Sequence, residues 1–351
     1  MKKEGLYGLS NTSRKDDELW GKNQFNSSFP ASLACYMRDQ KIKPIYLSLN
    51  DKLEVEAQEV SFDFIFGTDK PNNEIEFNFE CKYEPYQRFS YEDIKGIDLV
   101  IKHNEQFLRA LEVKLTVTPD NATYKLPPEE WSSEIVIRPA STSYCALGIA
   151  DSCEDDFPEI RKIFEATCEG IQHWDNQTEV MSKRKEIIDS LNMFQSKFAH
   201  RQKPFLMQPI WKTKGKTPIL DDNAFDIFIW SDFALCRTFI DRSTQGTEKQ
   251  ASRLMRSSAR LARILYEISS KGKAHVERIY TEMSFGFQSD KEFSLNGRVT
   301  REYMKHERRV KPVMPPEVLK EVILNGGQRN LSPERRFDQS VYYTAAHLFD
   351  D

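Results

Sequence analysis

The stretch from Gly96 to Val117 constrains the fold of this 351-residue chain more than any other. It reads GIDLVIKHNEQFLRALEVKLTV, and its two apolar runs flank the polar pair Asn104 and Glu105. Two such runs joined by a short polar turn predict a β-hairpin. Both runs are apolar enough to be covered on both faces, which places the hairpin inside a sheet with helices on either side.

The segments around this hairpin alternate between strand and helix patterns. Further strands are predicted at KPIYLSL, VSFDFIFG, IEFNFECKY, FLMQPIWKT and NAFDIFIW. Helices are predicted at FPASLACYM, in two stretches between Pro158 and Phe198, and from Gln245 to Lys271. This order predicts an α/β fold, in which a mixed central sheet is flanked by helices.

Composition excludes several classes of protein. Apolar residues make up 39% and charged residues 30% of the chain, and no apolar run approaches the length of a membrane-spanning helix. The six cysteines are scattered without a CxxC pair, and the six histidines lack zinc-site spacing. We therefore expect a soluble, cytoplasmic protein with reduced thiols, no membrane contact and neither a disulfide framework nor a zinc finger.

Positive charge is concentrated in one part of the chain. The formal net charge is −4, yet residues 237–311 contain 17 Lys and Arg against 9 Asp and Glu. Such an asymmetry is typical of a protein with a local surface for a polyanion, although a solvated helical face gives the same count.

The strongest helix pattern lies within this basic part. Leucines and Ile268 share one face, and four arginines share another: Arg253, Arg256, Arg260 and Arg263. These arginines are candidate contacts to DNA phosphates or guanines, the alternative being an ordinary solvated face. The segment RVTREYMKHERRVK, residues 298–311, is either a second backbone contact or a charged surface helix.

The predicted hairpin also contains a constellation that suits phosphodiester hydrolysis. Asp98 opens its first strand, and Glu112 and Lys114 lie two residues apart on its second. At a strand period of two, Glu112 and Lys114 share a face, and pairing across the turn brings Asp98 beside Glu112. Metal-dependent nucleases need carboxylates to hold a hard cation and a basic group to act on the attacking water. The spacing is that of the D-x(n)-E-x-K arrangement of PD-(D/E)xK nucleases.

A second E-x-K tripeptide competes with the first. Glu80 and Lys82 have their own upstream acid, Asp63. The first set is preferred because Asp98 leads into an uninterrupted apolar strand and LEVKLTV is apolar on both sides of the charges. For either set, an edge hairpin with a surface ion pair is the alternative that spacing alone leaves open.

Two blocks of the sequence resemble the HindVP/HgiDI group of type II restriction endonucleases. The first is LWGKNQFNSSFPASLACYM near the start. The second is LEVKLTVTPDNAT, residues 111–123, which matches the group's pattern E-[IV]-K-L-T-x-x-P-D after a D-L-V-I strand. The proline of the PD-(D/E)xK motif is absent from this sequence, since Ile97 precedes Asp98.

This resemblance implies a PD-(D/E)xK restriction-endonuclease-like core and Mg²⁺-dependent cleavage of both strands of DNA. It makes Asp98 and Glu112 metal ligands, the carbonyl of Val113 a third, and Lys114 the water-orienting base. It also implies a palindromic, GC-containing target of the GRCGYC kind, a bacterial origin and a methyltransferase acting on the same site. Two-fold symmetry of such a target favours a homodimer.

On this interpretation, residues 1–235 form the catalytic region, and residues 236–351 form a basic helical DNA-contacting region packed on the same body. Two alternatives stay open: a repair or structure-specific PD-(D/E)xK nuclease, and a non-catalytic DNA-binding protein. Metal dependence separates them, because only a nuclease requires Mg²⁺ to cut DNA.

Overall fold

The computed structural model describes residues 10–11, 43–71, 74–114, 135–137, 139–209, 212–214, 217–219, 227–243, 251–287 and 293–295. Its strands are β1 (Ser10–Asn11), β2 (Ile45–Leu49), β3 (Val55–Glu59), β4 (Glu76–Cys81), β5 (Ile97–His103), β6 (Gln106–Val113), β7 (Ile135–Ile137), β8 (Pro204–Pro209), β9 (Lys212–Lys214), β10 (Thr217–Ile219), β11 (Ile227–Ser231) and β12 (Phe293–Leu295). Its α-helices are α1 (Phe62–Phe66), α2 (Glu84–Gln87), α3 (Pro139–Ser152), α4 (Phe157–Glu169), α5 (Gln177–Ser182), α6 (Arg184–Phe198), α7 (Asp232–Arg242), α8 (Arg253–Lys271) and α9 (Val276–Glu282).

Eight of these strands form one mixed sheet in the order β1-β4-β5-β6-β8-β11-β2-β3. Strands β4, β5 and β6 are an antiparallel meander, and β8 then pairs with β6 in parallel. A parallel pair requires a crossover, and helices α3 to α6 lie in the connection between β6 and β8. The predicted α/β architecture with a mixed central sheet is confirmed.

The hairpin at the centre of this meander forms as predicted. Asn104 and Glu105 make its turn with positive φ angles of 48° and 65°. Strands β5 and β6 pair from His103 opposite Gln106 to Leu99 opposite Leu111, with one irregularity next to Ile101. Both strands lie between neighbours in the sheet, β4 on one side and β8 on the other.

One predicted strand is a helix in the structure. VSFDFIFG forms α1, because the Ser61 side chain accepts the Phe64 N–H at 3.1 Å and Gly67 ends the helix at a φ of 78°. An N-cap serine and a left-handed glycine together favour a helical turn over the extended form that the aromatic residues suggest. The strand next to it, β3, is the polar sequence VEAQE and was not predicted.

The two helical stretches predicted after Pro158 are confirmed by α4 and α6, with the short helix α5 between them, and strands β8 and β11 confirm the later strand pair. The predicted helix from Gln245 begins at Arg253, where the Ser252 side chain accepts the Met255 N–H. The predicted helix FPASLACYM and residues 298–311 lie outside the described residues.

A single hydrophobic core joins the described residues on both sides of the proposed regional boundary. Helix α7 runs through that boundary, between residues 235 and 236, without a break. Helix α8 packs against α3, α4, α6 and α7, and its Met255, Leu261 and Ile268 are buried in that core. No helix among the described residues has the length and apolar character that crossing a membrane requires.

Candidate active site

The candidate catalytic residues lie at one end of the hairpin, in the middle of the sheet. Asp98 is the second residue of β5, Glu112 and Val113 end β6, and Lys114 follows. Continuing the register from Leu99 and Leu111 by one residue places Asp98 opposite Glu112. On the other side of β6, the Lys114 N–H donates to the Met207 carbonyl of β8 at 3.0 Å. The backbone of Lys114 therefore continues the pairing of β6 with β8.

The side chains of Asp98, Glu112 and Lys114 meet as predicted. The Lys114 ammonium donates to Glu112 Oε1 at 2.5 Å and lies 3.5 Å from Asp98 Oδ2. It also lies 3.4 Å from the Val113 carbonyl oxygen. The Val113 N–H donates to Asp98 Oδ2 at 2.9 Å, which holds this carboxylate against the end of β6. The edge-hairpin alternative does not fit, since both strands are inside the sheet.

Because the site is largely buried, the charges of Asp98, Glu112 and Lys114 stabilise one another. Only 6% of Glu112 is exposed, and an unpaired charge there would be costly. Burial by itself lowers the pKa of Lys114, but the neighbouring Glu112 and Asp98 carboxylates outweigh it, so the pKa lies above its ordinary value. Lys114 is therefore a cation at neutral pH, and it compensates the two carboxylates.

Ser141 belongs to this site, although no pattern in the sequence singles it out. Its hydroxyl donates to Glu112 Oε1 at 2.8 Å, and the residue is fully buried in the first turn of α3. The contact joins residues 29 positions apart. No spacing rule connects a serine in a helix to a glutamate on a distant strand, so only the tertiary structure reveals it.

The oxygen atoms at this point have the chemistry that Mg²⁺ prefers. Carboxylates and backbone carbonyls are hard donors, and the Lys114 ammonium lies within 3.5 Å of the three groups predicted to bind the metal. The arrangement therefore fits a cation. Within the described residues no three Asp, Glu, His or Cys side chains form a metal cluster, so a cation held by Asp98 and Glu112 would need non-side-chain ligands as well.

The competing motif is not assembled in the same way. Lys82 lies beyond the end of β4 and pairs with Asp93 at 3.0 Å, with more than half of both side chains exposed. Asp63 lies in α1, not on either strand that pairs with β4. Only Glu80 is near the first set in the sheet, because the register of β4 with β5 places it opposite Asp98.

The arginine face of α8 differs from a solvated surface. Arg253 is exposed, whereas 7% of Arg256, 3% of Arg260 and 6% of Arg263 is accessible to solvent. Burial lowers the pKa of Arg260 to about 9.

Aromatic rings and α9 account for this burial. Each of the three buried guanidinium groups stacks on a ring, those of Phe287, Tyr280 and Trp174. Arg260 donates to the Met283 carbonyl at 2.9 Å, and Arg263 forms ion pairs with Glu267 and Glu282 at 3.1 and 2.7 Å. Within the described residues Arg260 and Arg263 tie α8 to α9. DNA contact by this face stays a prediction that Arg253 fits best.

Comparison with known proteins identifies the family of this chain. The family model described as HindVP restriction endonuclease matches residues 20–349. The chain is 37% identical to the type II restriction enzyme HgiDI of Herpetosiphon aurantiacus, over 100% of this chain and 98% of the relative. It is 33% identical to the probable type II restriction enzyme HindVP of Haemophilus influenzae, over 99% of this chain and 95% of the relative. No solved structure matches the chain. A family match over nearly the whole length, a mixed sheet of the restriction-endonuclease type and the assembled hairpin site agree, and the chain belongs to the HindVP restriction endonuclease family.

Proposed function

We propose that this protein is a type II restriction endonuclease that makes Mg²⁺-dependent double-strand cuts at a short palindromic DNA site. The observation that carries the proposal is the meeting of Asp98, Glu112 and Lys114 at the end of an internal hairpin. Two relatives named as type II restriction enzymes match over nearly their entire length, which supports the same activity here.

Each residue has a defined task in such a reaction. Asp98, Glu112 and the Val113 carbonyl would hold Mg²⁺, which when bound would polarise the scissile phosphate and make an attacking water more acidic. The Val113 N–H fixes the Asp98 carboxylate. Lys114 is held as a cation by its two carboxylates, so it is suited to orient the water and to stabilise negative charge on the phosphate. Its protonation disfavours the role of proton acceptor.

The proposal extends to partners. A palindromic target is met most simply by a two-fold protein, which favours a homodimer with one active site for each strand. The family resemblance supports a GC-containing site of the GRCGYC kind and a methyltransferase that modifies the same site. Arg253 is a candidate phosphate contact because it is exposed at the start of α8.

Plasmid cleavage tests the proposal. Purified protein is incubated with a sequenced plasmid in Mg²⁺ or in EDTA, and the product ends are sequenced. We expect discrete Mg²⁺-dependent fragments that end in one palindrome. Asp98→Asn, Glu112→Gln and Lys114→Ala should each lower the cleavage rate at least about 100-fold while DNA binding is retained.

Lys82→Ala is the matched control, because it removes a lysine from the other E-x-K tripeptide and should leave cleavage unchanged. Full activity of any of the three site variants would contradict the assigned roles. Nonspecific nicking would favour a repair-type nuclease, and a retarded but intact plasmid would favour a non-catalytic DNA-binding protein.

A further inference from the structure

The two carboxylate oxygens of Glu112 have different surroundings. Oε1 accepts hydrogen bonds from both the Lys114 ammonium, at 2.5 Å, and the Ser141 hydroxyl, at 2.8 Å. Oε2 receives no hydrogen bond from the described part of the chain. A carboxylate with both donors on one oxygen has a fixed orientation, because rotation about its terminal bond would break both hydrogen bonds.

Ser141 is the more rigid of these two donors. It is fully buried in the first turn of α3, whose Cys145, Ala146 and Leu147 are also fully buried in the core. A serine side chain has one rotatable bond before its hydroxyl, whereas lysine has a long and flexible stem. The position of the Ser141 oxygen is therefore set by the packing of α3 against the sheet.

We propose that Ser141 is a positioning residue that holds Oε1 of Glu112 and so presents Oε2 to the metal ion. This inference rests on the proposed function, since it assigns a task within the same metal site. Hydrogen-bonded partners of metal ligands commonly tune affinity in this way, and their loss typically weakens metal binding about 10- to 100-fold. Ser141 has no contact with the reacting atoms in this proposal and acts through Glu112 alone.

The next residue provides a matched control. Thr142 is 1% exposed and lies in the same turn of α3, and its hydroxyl has no hydrogen-bond partner among the described residues. Thr142→Val removes a buried hydroxyl of the same helix at nearly constant volume. It should therefore reproduce any general effect of the substitution on α3 but leave Glu112 unaffected.

The test measures Mn²⁺ binding to the full-length protein at pH 7.5, through the electron paramagnetic resonance signal of free Mn²⁺. We expect Ser141→Ala to weaken Mn²⁺ binding about 10- to 100-fold, and Thr142→Val to change it by less than about twofold. In plasmid cleavage, Ser141→Ala should require a correspondingly higher Mg²⁺ concentration for half-maximal rate. Ser141→Cys, which keeps a similar volume but has only a weak donor, should show the same loss and serves if the alanine variant does not fold.

Unchanged Mn²⁺ affinity in a folded Ser141 variant would overturn the inference, as would an equal loss in Thr142→Val. Failure of the proposed function has a different signature. In that case the unmodified protein would neither cleave DNA with Mg²⁺ nor bind Mn²⁺ in a way that Glu112→Gln abolishes.

Discussion

At the scale of single residues, Asp232 is a buried acid outside the candidate active site. Only 2% of it is exposed, and its Oδ1 accepts the backbone N–H groups of Lys203 at 3.1 Å and Phe233 at 2.8 Å. Burial raises its pKa to about 7, although both N–H groups act in the opposite direction. The ionised form is therefore disfavoured in the folded protein until the pH reaches neutrality.

This shift predicts a pH-dependent stability. The folded-state pKa of about 7 lies above the unfolded value near 3.9, so the folded protein binds more protons between these limits. The contribution of Asp232 to the unfolding free energy is then full below about pH 4 and is lost progressively as the pH rises to about 7. Asp232→Asn keeps the acceptor oxygen and removes the ionisation, so it should be more stable than the unmodified protein at pH 8.

Urea unfolding at pH 5 and pH 8 measures this difference. The gain from Asp232→Asn should be larger at pH 8, and a gain independent of pH would show that the titration of Asp232 is not its cause. Asp155→Asn is a suitable control, because Asp155 is exposed and its substitution should change stability by less than about 0.5 kcal/mol.

At the scale of secondary-structure elements, the turn of the β5–β6 hairpin carries avoidable strain. Asn104 and Glu105 both have positive φ, a conformation in which glycine has no steric penalty and glutamate does. Glu105→Gly should therefore stabilise the protein by about 1 kcal/mol and leave cleavage unchanged. Thermal and urea unfolding check the gain. Glu105→Ala should give no such gain, and destabilisation by Glu105→Gly would contradict the argument.

The arginines of helix α8 have two different roles: Arg263 is structural, and Arg253 is a candidate DNA contact. Arg263→Ala removes the buried cation that pairs with Glu267 and Glu282, and should cost about 1 to 3 kcal/mol of stability. Each of these carboxylates keeps a second, exposed basic partner, which limits the loss. Arg253→Ala removes an exposed side chain and should change stability by less than about 0.5 kcal/mol. If Arg253 contacts a phosphate, its loss should lower the salt dependence of DNA binding by about one unit of slope. Equal stability of the two variants would show that the Arg263 pairs contribute little.

The elements also show which features a sequence can predict. The hairpin and its three catalytic candidates follow from local patterns, since strand alternation and a two-residue turn fix which residues face one another. Helix α1 does not, because its aromatic residues suit a strand and its cap residues decide the outcome. The Ser141–Glu112 contact and the burial of Arg260 depend on how distant helices pack, and no local pattern encodes that packing.

At the scale of the whole molecule, the site and α8 belong to one packed body. Helices α3 and α8 contact each other directly, and Ser141 of α3 touches Glu112. A change in α8 that moves α3 would therefore also move the Ser141 hydroxyl, which donates to the Glu112 carboxylate. This holds even though the arginines of α8 lie outside the site. The described parts of the two predicted regions are thus packed together, and α7 crosses the predicted boundary between them.

The proposed homodimer predicts that each protomer cuts one strand of the DNA. If each protomer cuts one strand, a dimer of one active and one Glu112→Gln protomer should cut only one strand of a supercoiled plasmid. Mixing the active protein with a large excess of the variant, under conditions that exchange protomers, should shift the early product from linear to open-circular DNA. The fraction of the two forms on an agarose gel measures this shift.

Glu105→Gly protein in the same excess is the control, since this variant should keep its active site and yield linear DNA. A linear product from the Glu112→Gln mixture would contradict the one-strand-per-protomer arrangement, because an active protomer would then have cut both strands on its own. Capture through an affinity tag carried only by the Glu112→Gln protomer, followed by detection of the active protomer in the captured fraction, shows whether mixed dimers are present when the product is read.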